Sequence, residues 1–266
     1  MVRRYKLTKK GKKFFTAFTF TLLMLTVVWI SAHNCSSNKN THTIGNDSTG
    51  NLNDFGIYLP ESYQVHGIDI SKHQKDIDWK AVSTMQAGDK KISFVFIKAT
   101  EGATREDDQF CQNWEKAKEN NLLRGAYHFY RPARTPEEQA AIFFSKVELE
   151  TGDLPPVVDF ETTNKRSKSQ IQYGLSRFLR LLENKYKVKP IIYTNLSYYK
   201  NYIKGRFDNY PIWIACYWGE DTLKTLDYSW HFWQHSSVGK VNGIQGSVDF
   251  NVFKGTLDEL KAMCIP

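Results

Sequence analysis

Eight short runs of apolar and β-branched residues recur through the later part of the chain, at 65–70, 94–99, 124–130, 156–161, 190–195, 211–217, 230–235 and 248–253. Each has the length and composition of a β-strand. Between the early runs lie helical candidates at 79–85, 107–121, 136–148 and 169–186. In the last of these, Ile171, Leu175, Phe178, Leu179 and Leu182 fall at the three- and four-residue spacing that lines one helix face. Strand and helix in alternation predict an α/β fold on a parallel sheet, and eight strands in about 200 residues predict a closed (β/α)-barrel. After Tyr217 the runs stand closer together, with room for loops but few helices, so the barrel is expected to be irregular in its C-terminal part.

The start of the chain is patterned differently. Arg3, Arg4, Lys6, Lys9, Lys10, Lys12 and Lys13 precede an uncharged apolar run of 19 residues at 14–32. At about 1.5 Å per residue such a run crosses the roughly 30 Å hydrocarbon layer of a bilayer. It reads as an export element. Its length, and the partial small-residue match at Ile30, Ser31 and Ala32, favour an uncleaved membrane anchor over a signal peptide, whose removal would give a secreted form. The positive charges ahead of it keep the N-terminus cytoplasmic and deliver the chain after His33 outside. A lipid on Cys35 is the minority reading, because Asn34 is a poor match to the small residue expected before such a site. The expected organisation is therefore 1–33 as basic N-terminus and anchor, 34–62 as a flexible linker rich in Asn, Ser, Thr and Gly, and 63–266 as the folded domain.

The formal net charge of +8 shrinks once those seven N-terminal cations are set aside, since 29 basic and 28 acidic residues remain. A near-neutral domain lacks the clustered cations that a phosphate backbone demands, which excludes nucleic acid as a partner. Cys111, Cys216 and Cys264 are an odd number at wide spacings, unlike a zinc motif or a disulfide framework. At most one bridge can form among them, and neither metal nor cofactor is implied. The aromatic content of 14% suits either stacking on sugar rings or a dense core.

Several strand runs end in carboxylates: Asp69 in 67–71, Asp159 and Glu161 in 157–161, and Asp249 in 248–251. In a barrel, groups at the ends of different strands converge on one mouth. Asp159 and Glu161 are two apart, so they share a strand face, about 6 to 7 Å apart along it. Two neighbouring carboxylates resist double ionisation, and one that stays protonated near neutrality can protonate a glycosidic oxygen. The ordinary alternative is that some of them cap strand ends.

The motifs 67–71 (GIDIS) with Gln74, 98–102 (KATEG), 125–129 (GAYHF), 159–161 (DFE), 192–195 (IYTN), 213–215 (WIA), 233–234 (WQ) and 249–251 (DFN) resemble, in order, those of the glycoside hydrolase family 25 lysozymes. The resemblance covers 65–253. It implies an irregular (β/α)-barrel that cleaves the β-1,4 bond between N-acetylmuramic acid and N-acetylglucosamine in peptidoglycan glycan strands. It places the acid on Glu161, its neighbouring carboxylate on Asp159, and two further active-site aspartates on Asp69 and Asp249. His235 departs from the family pattern, in which an aromatic often follows Trp-Gln, and this bears on the rim of the site. Tyr127, Phe129, Tyr193, Trp213, Trp233 and Gln234 fall at or near strand ends and are the candidate sugar-binding residues. Lys98 and Glu101 are expected to form an ion pair supporting the mouth. The enzyme is expected to act as a monomer, held to the membrane by its N-terminal segment.

Two rival readings differ in class. A metal-dependent polysaccharide deacetylase would need His231 and His235 on a helix, but the segment reads as a strand, which sets them about 13 Å apart. A non-catalytic glycan-binding barrel would have no use for all four carboxylates. Chitinase-like cleavage is closer in chemistry to the muramidase reading. On mechanism, Asp159 shares a face with Glu161 and is badly placed to attack from the opposite side of the sugar. The expected route is attack by the substrate's own 2-acetamido oxygen with net retention, and the alternative is inversion with Asp249 or Asp69 as base.

Overall fold

All eight expected runs form strands in the computed structural model, which describes residues 54–224 and 230–266. The expected anchor at 14–32 and the linker as far as residue 53 lie outside the described residues. In chain order the strands are β1 (Val65–Ile70), β2 (Gln86–Ala87), β3 (Lys90–Glu101), β4 (Arg105–Glu106), β5 (Leu123–Phe129), β6 (Val157–Asp159), β7 (Ile191–Asn195), β8 (Ile212–Ala215), β9 (Phe232–Gly239) and β10 (Val248–Phe253). Hydrogen bonding runs β1-β10-β9-β8-β7-β6-β5-β3, and β3 pairs with β1 to close the barrel. The two-residue strands β2 and β4 only extend the edges of β3.

The barrel is not wholly parallel. β10 runs antiparallel to both neighbours, β9 and β1. Chain length explains this correction: only residues 240–247 separate β9 from β10. A parallel crossover needs a dozen or more residues, so the chain must turn straight back.

The α-helices of five or more residues among the described residues are α1 (Trp79–Thr84), α2 (Phe110–Glu119), α3 (Pro136–Lys146), α4 (Lys168–Tyr186), α5 (Glu220–Lys224) and α6 (Leu257–Ala262). α4 begins at a reciprocal cap in which Ser167 accepts from the Gln170 backbone and Gln170 reaches back, and it buries all five residues singled out by their spacing. α3 starts with Thr135 as cap and Pro136 in its first turn, where the missing N–H costs nothing. Beyond β8 the only helices among the described residues are the short α5 and α6, as the compressed spacing predicts. Among the described residues, no helix is long and apolar enough to cross a membrane.

Alternation along the strands divides the core in two. Val65, Phe94, Phe96, Val157, Tyr193, Trp213, Phe232 and Phe253 pack inside the barrel. Ile68, Val95, Ile97, Val158, Ile192, Ile214, Phe250 and Val252 face outward against the helices and loops. Phe55 and Ile57 are buried in that outer layer, with Phe55 5.2 Å from the Phe250 ring, so part of the expected linker belongs to the folded body. The three cysteines of this body are free.

The interior is filled with rings, and glycine makes room for them. Phe96 stacks on Trp213 at 4.4 Å and meets Phe94 and Phe232 edge-on. A Cβ on Gly125 would lie 2.6 Å from the Phe96 ring, and one on Gly67 would lie 2.5 Å from that of Phe94. Rings packed on three sides cannot retreat. Gly125→Ala is therefore expected to lower unfolding free energy by about 1–3 kcal/mol, the usual cost of overpacking, read as a shifted urea midpoint with unchanged slope.

Candidate active site

Above the ring-filled interior, the C-terminal ends of the parallel strands open into a cavity of about 310 Å³. Parity decides what enters it. On β1, Val65 and Gly67 point inward, so Asp69 does too, directly across from Asp249 on antiparallel β10. On β6 the strand ends at Asp159. Phe160 turns outward against Tyr198 and Tyr202, and Glu161 returns to the cavity. Both carboxylates of the D-x-E segment thus reach one space.

The backbone between them is clamped by both neighbouring strands. Tyr130 N–H donates to the Asp159 carbonyl at 2.8 Å, and Phe160 N–H donates to the Tyr193 carbonyl at 2.9 Å. The Thr194 hydroxyl donates to the Phe160 carbonyl at 2.6 Å. Segment 159–161 is held as firmly as a strand although the strand itself has ended.

Asp69 is fixed by a directed network. The Trp213 indole donates to Asn251 Oδ1 at 2.8 Å, and an indole N–H can only donate. The amide of Asn251 is thereby oriented with Nδ2 toward Asp69 Oδ2, at 2.8 Å. Gln234 is set in the same way: the hydroxyls of Tyr193 and Tyr217 donate to its Oε1 at 2.8 and 2.6 Å, and its Nε2 donates to the same Asp69 oxygen at 2.8 Å. Two amides thus converge on one carboxylate oxygen.

Burial and crowding make these acids harder to ionise. Burial, then the facing Asp249, pushes Asp69 up to about 8. Burial, then Glu161, raises Asp249 to about 6. Burial and the adjacent Glu161 hold Asp159 well above the carboxylate range, and its Oδ1 has no hydrogen-bond partner among the described residues. Glu161 is raised chiefly by burial, against the opposing influence of the Tyr193 hydroxyl and Lys98. Glu101 behaves oppositely. Burial would raise it, but Arg131 and Lys98 hold it at about 2. The Lys98–Glu101 pair, at 2.9 Å, is the ion pair the sequence predicts beside the mouth.

Of the candidate sugar-binding residues, Tyr127, Phe129, Tyr193, Trp213 and Gln234 line the cavity. Trp233 does not. It alternates with inward Phe232 and Gln234, faces the outer core, and donates its indole N–H to the Cys216 carbonyl at 2.7 Å. His235 shares that outward parity, packing against Trp233 and Phe250, so its departure from the family pattern does not touch the rim. Tyr217 was missed as a site residue. Counting on by twos from inward Trp213 and Ala215 reaches it, although β8 has ended.

Residues 68–244 match the family described as glycosyl hydrolases family 25. The chain is 42% identical over 208 residues to the Escherichia coli K12 protein YegX, covering 78% of this chain and 76% of that one. It is 35% identical over 217 residues to lysozyme M1 of Streptomyces globisporus, covering 75% and 71%. Among solved structures, a family 25 glycosyl hydrolase from Bacillus anthracis superposes with a TM-score of 0.70 at 30% identity, covering 81% of this chain and 99% of that one.

The crowded acids have a consequence for stability. Asp69 keeps its proton in the folded state to about pH 8, whereas in the unfolded chain it loses it near pH 4. Between those values the folded state binds the extra proton, so stability falls as pH rises, and the full cost is present above about pH 8. Asp69→Asn keeps an oxygen for both amide donors and removes the titration. Its melting temperature is expected to match the wild type near pH 4 and to exceed it at pH 8, followed by scanning calorimetry across that range. A gap that stays constant with pH would be the contrary result.

Proposed function

The chain belongs to the glycosyl hydrolases of family 25, and on that premise we propose that Glu161 is the proton donor of its glycosidic cleavage, with Asp159 orienting the substrate beside it. The protein is a lysozyme, a muramidase that hydrolyses peptidoglycan. The observation that carries the assignment of roles is the clamped D-x-E segment, which brings two desolvated carboxylates into one cavity. Such a pair shares a proton near neutrality.

In this reading the proton resides on Glu161 when substrate binds. It passes to the glycosidic oxygen as the bond to the muramyl anomeric carbon breaks. The 2-acetamido carbonyl oxygen of the same sugar bonds to that carbon from the opposite side. The unpartnered Asp159 Oδ1 accepts the acetamido N–H and stabilises the positive charge that develops there. Glu161, now a carboxylate, takes a proton from water as the water attacks the anomeric carbon and reopens the ring. Two displacements give net retention. Asp69 and Asp249 hold the far wall, and Tyr127 and Phe129 present ring surface to the sugars.

Peptidoglycan lies outside the cytoplasmic membrane, so the enzyme must be exported. The seven N-terminal cations and the apolar run at 14–32 support export with retention as an anchor.

Glu161→Gln is expected to remain folded and to lose about two to four decades of kcat on purified peptidoglycan, the range for a positioned proton donor. Near wild-type turnover by the folded variant would take the role from Glu161. Following the new reducing end by NMR in early turnover is expected to show the β-anomer first. An initial α-anomer would mean inversion and would overturn substrate assistance.

A further inference from the structure

Beside the catalytic cavity lies a second, open groove of about 420 Å³ in which the chain gathers Arg105, Arg131, Arg134 and Asn164. The acid facing these cations is Glu101, and its oxygens are already occupied. Oε2 accepts from Lys98 at 2.9 Å, while Oε1 accepts from Arg131 Nη2 at 2.7 Å and from Arg105 Nη1 at 2.8 Å. Three cations on one carboxylate leave a surplus of positive charge. The exposed Arg134 adds another, and its side chain has no partner among the described residues. Nearby acids do not cancel it, because Glu106 is paired with Lys146 at 2.7 Å and Asp108 with Lys72 at 3.5 Å.

The local backbone is shaped to hold this arrangement. Gly102, at φ +56°, lies beneath the arginine stems. A Cβ there would come within 3.3 Å of Arg131 Cγ and 4.0 Å of Arg134 Cγ, so the positive φ, more than the space, is what favours glycine there. Across the groove Asn164 and Lys165 both adopt positive φ, 45° and 61°, a costly conformation for residues with side chains. Asn164 Oδ1 is buried without a hydrogen-bond donor among the described residues. A groove lined by free guanidinium N–H groups suits a peptide carrying a carboxylate.

The position of the groove says where such a peptide comes from. Lys98 and Phe129 line the catalytic cavity, Glu101 and Arg131 line the groove, and the Arg131 guanidinium stacks on the Phe129 ring at 4.4 Å. A sugar bound in the cavity beside Phe129 thus has the groove as its neighbour across this wall. Each muramyl residue bears, through its lactyl ether, a peptide stem whose carboxylates are the anions of the repeat. We propose that the groove is a stem-peptide subsite, in which Arg134, with the free N–H groups of Arg131 and Arg105, holds a stem carboxylate. The proposal deepens the muramidase reading and rests on it.

The test compares kcat/KM on soluble glycan chains carrying intact stems, on chains whose stem carboxylates are amidated, and on chains stripped of stems. The full-length protein is expected to favour intact stems about tenfold over both others. In Arg134→Ala that preference should fall to about twofold or less, and Arg134→Lys, which keeps the charge, should retain part of it. Thermal melting of each variant confirms the fold. A wild-type enzyme that cleaves all three substrates equally, or an Arg134→Ala variant that keeps the wild-type preference, overturns the subsite alone. Cleavage of amidated chains as fast as of intact ones overturns the carboxylate contact. Failure of the wild type to cleave any of the three overturns the muramidase reading beneath it.

Discussion

Four carboxylates share one small cavity above a floor of aromatic rings, and they cannot all be ionised there. Much of the molecule follows from that constraint. The interior below excludes water because Phe94, Phe96, Trp213 and Phe232 fill it, and they fill it because Gly67 and Gly125 yield the space. The mouth is therefore desolvated from beneath. Protons stay on acids that would lose them in water, which is the condition for general acid chemistry at ordinary pH.

A cavity of crowded acids still needs a defined geometry, and donors of fixed sense supply it. The Trp213 indole and two tyrosine hydroxyls orient the amides of Asn251 and Gln234, which in turn converge on Asp69. Directionality originates in groups that can only donate or are committed to donating, and it is passed inward one hydrogen bond at a time. The Asp159–Glu161 segment is held by a different device, main-chain bonds from the strands on either side. Side chains that hold a wall are thus separated from the backbone that positions the acid.

Charge is treated in opposite ways a few residues apart. Inside the cavity burial and like charge raise carboxyl groups, whereas Glu101 at its border is held ionised by Lys98 and Arg131. The difference lies in partners, since both sites are partly or wholly desolvated. The Lys98–Glu101 pair also straddles the boundary, since Lys98 lines the carboxylate cavity and Glu101 the arginine groove, so it separates an acidic space from a cationic one.

What the sequence determined by itself follows from local periodicity. Runs of β-branched residues, the spacing of Ile171, Leu175, Phe178, Leu179 and Leu182, and the strand-end positions of Asp69 and Asp159 all express one element's own repeat, and the structure keeps them, whereas Asp249, near the start of β10, reaches the mouth only because that strand is reversed. What only the tertiary structure decided is which side each repeat presents. Period-two alternation separates two faces without saying which is inward, so Trp233 and Gln234 looked equally suited to the site until pairing with β8 and β10 put Gln234 inside. The reversal of β10, the burial of Phe55 and Ile57, and the entry of Tyr217 into the cavity depend likewise on contacts between distant parts of the chain. Local propensity specifies elements; register between them selects the faces, because a shift of one residue exchanges every side chain of a strand between core and mouth or outer layer.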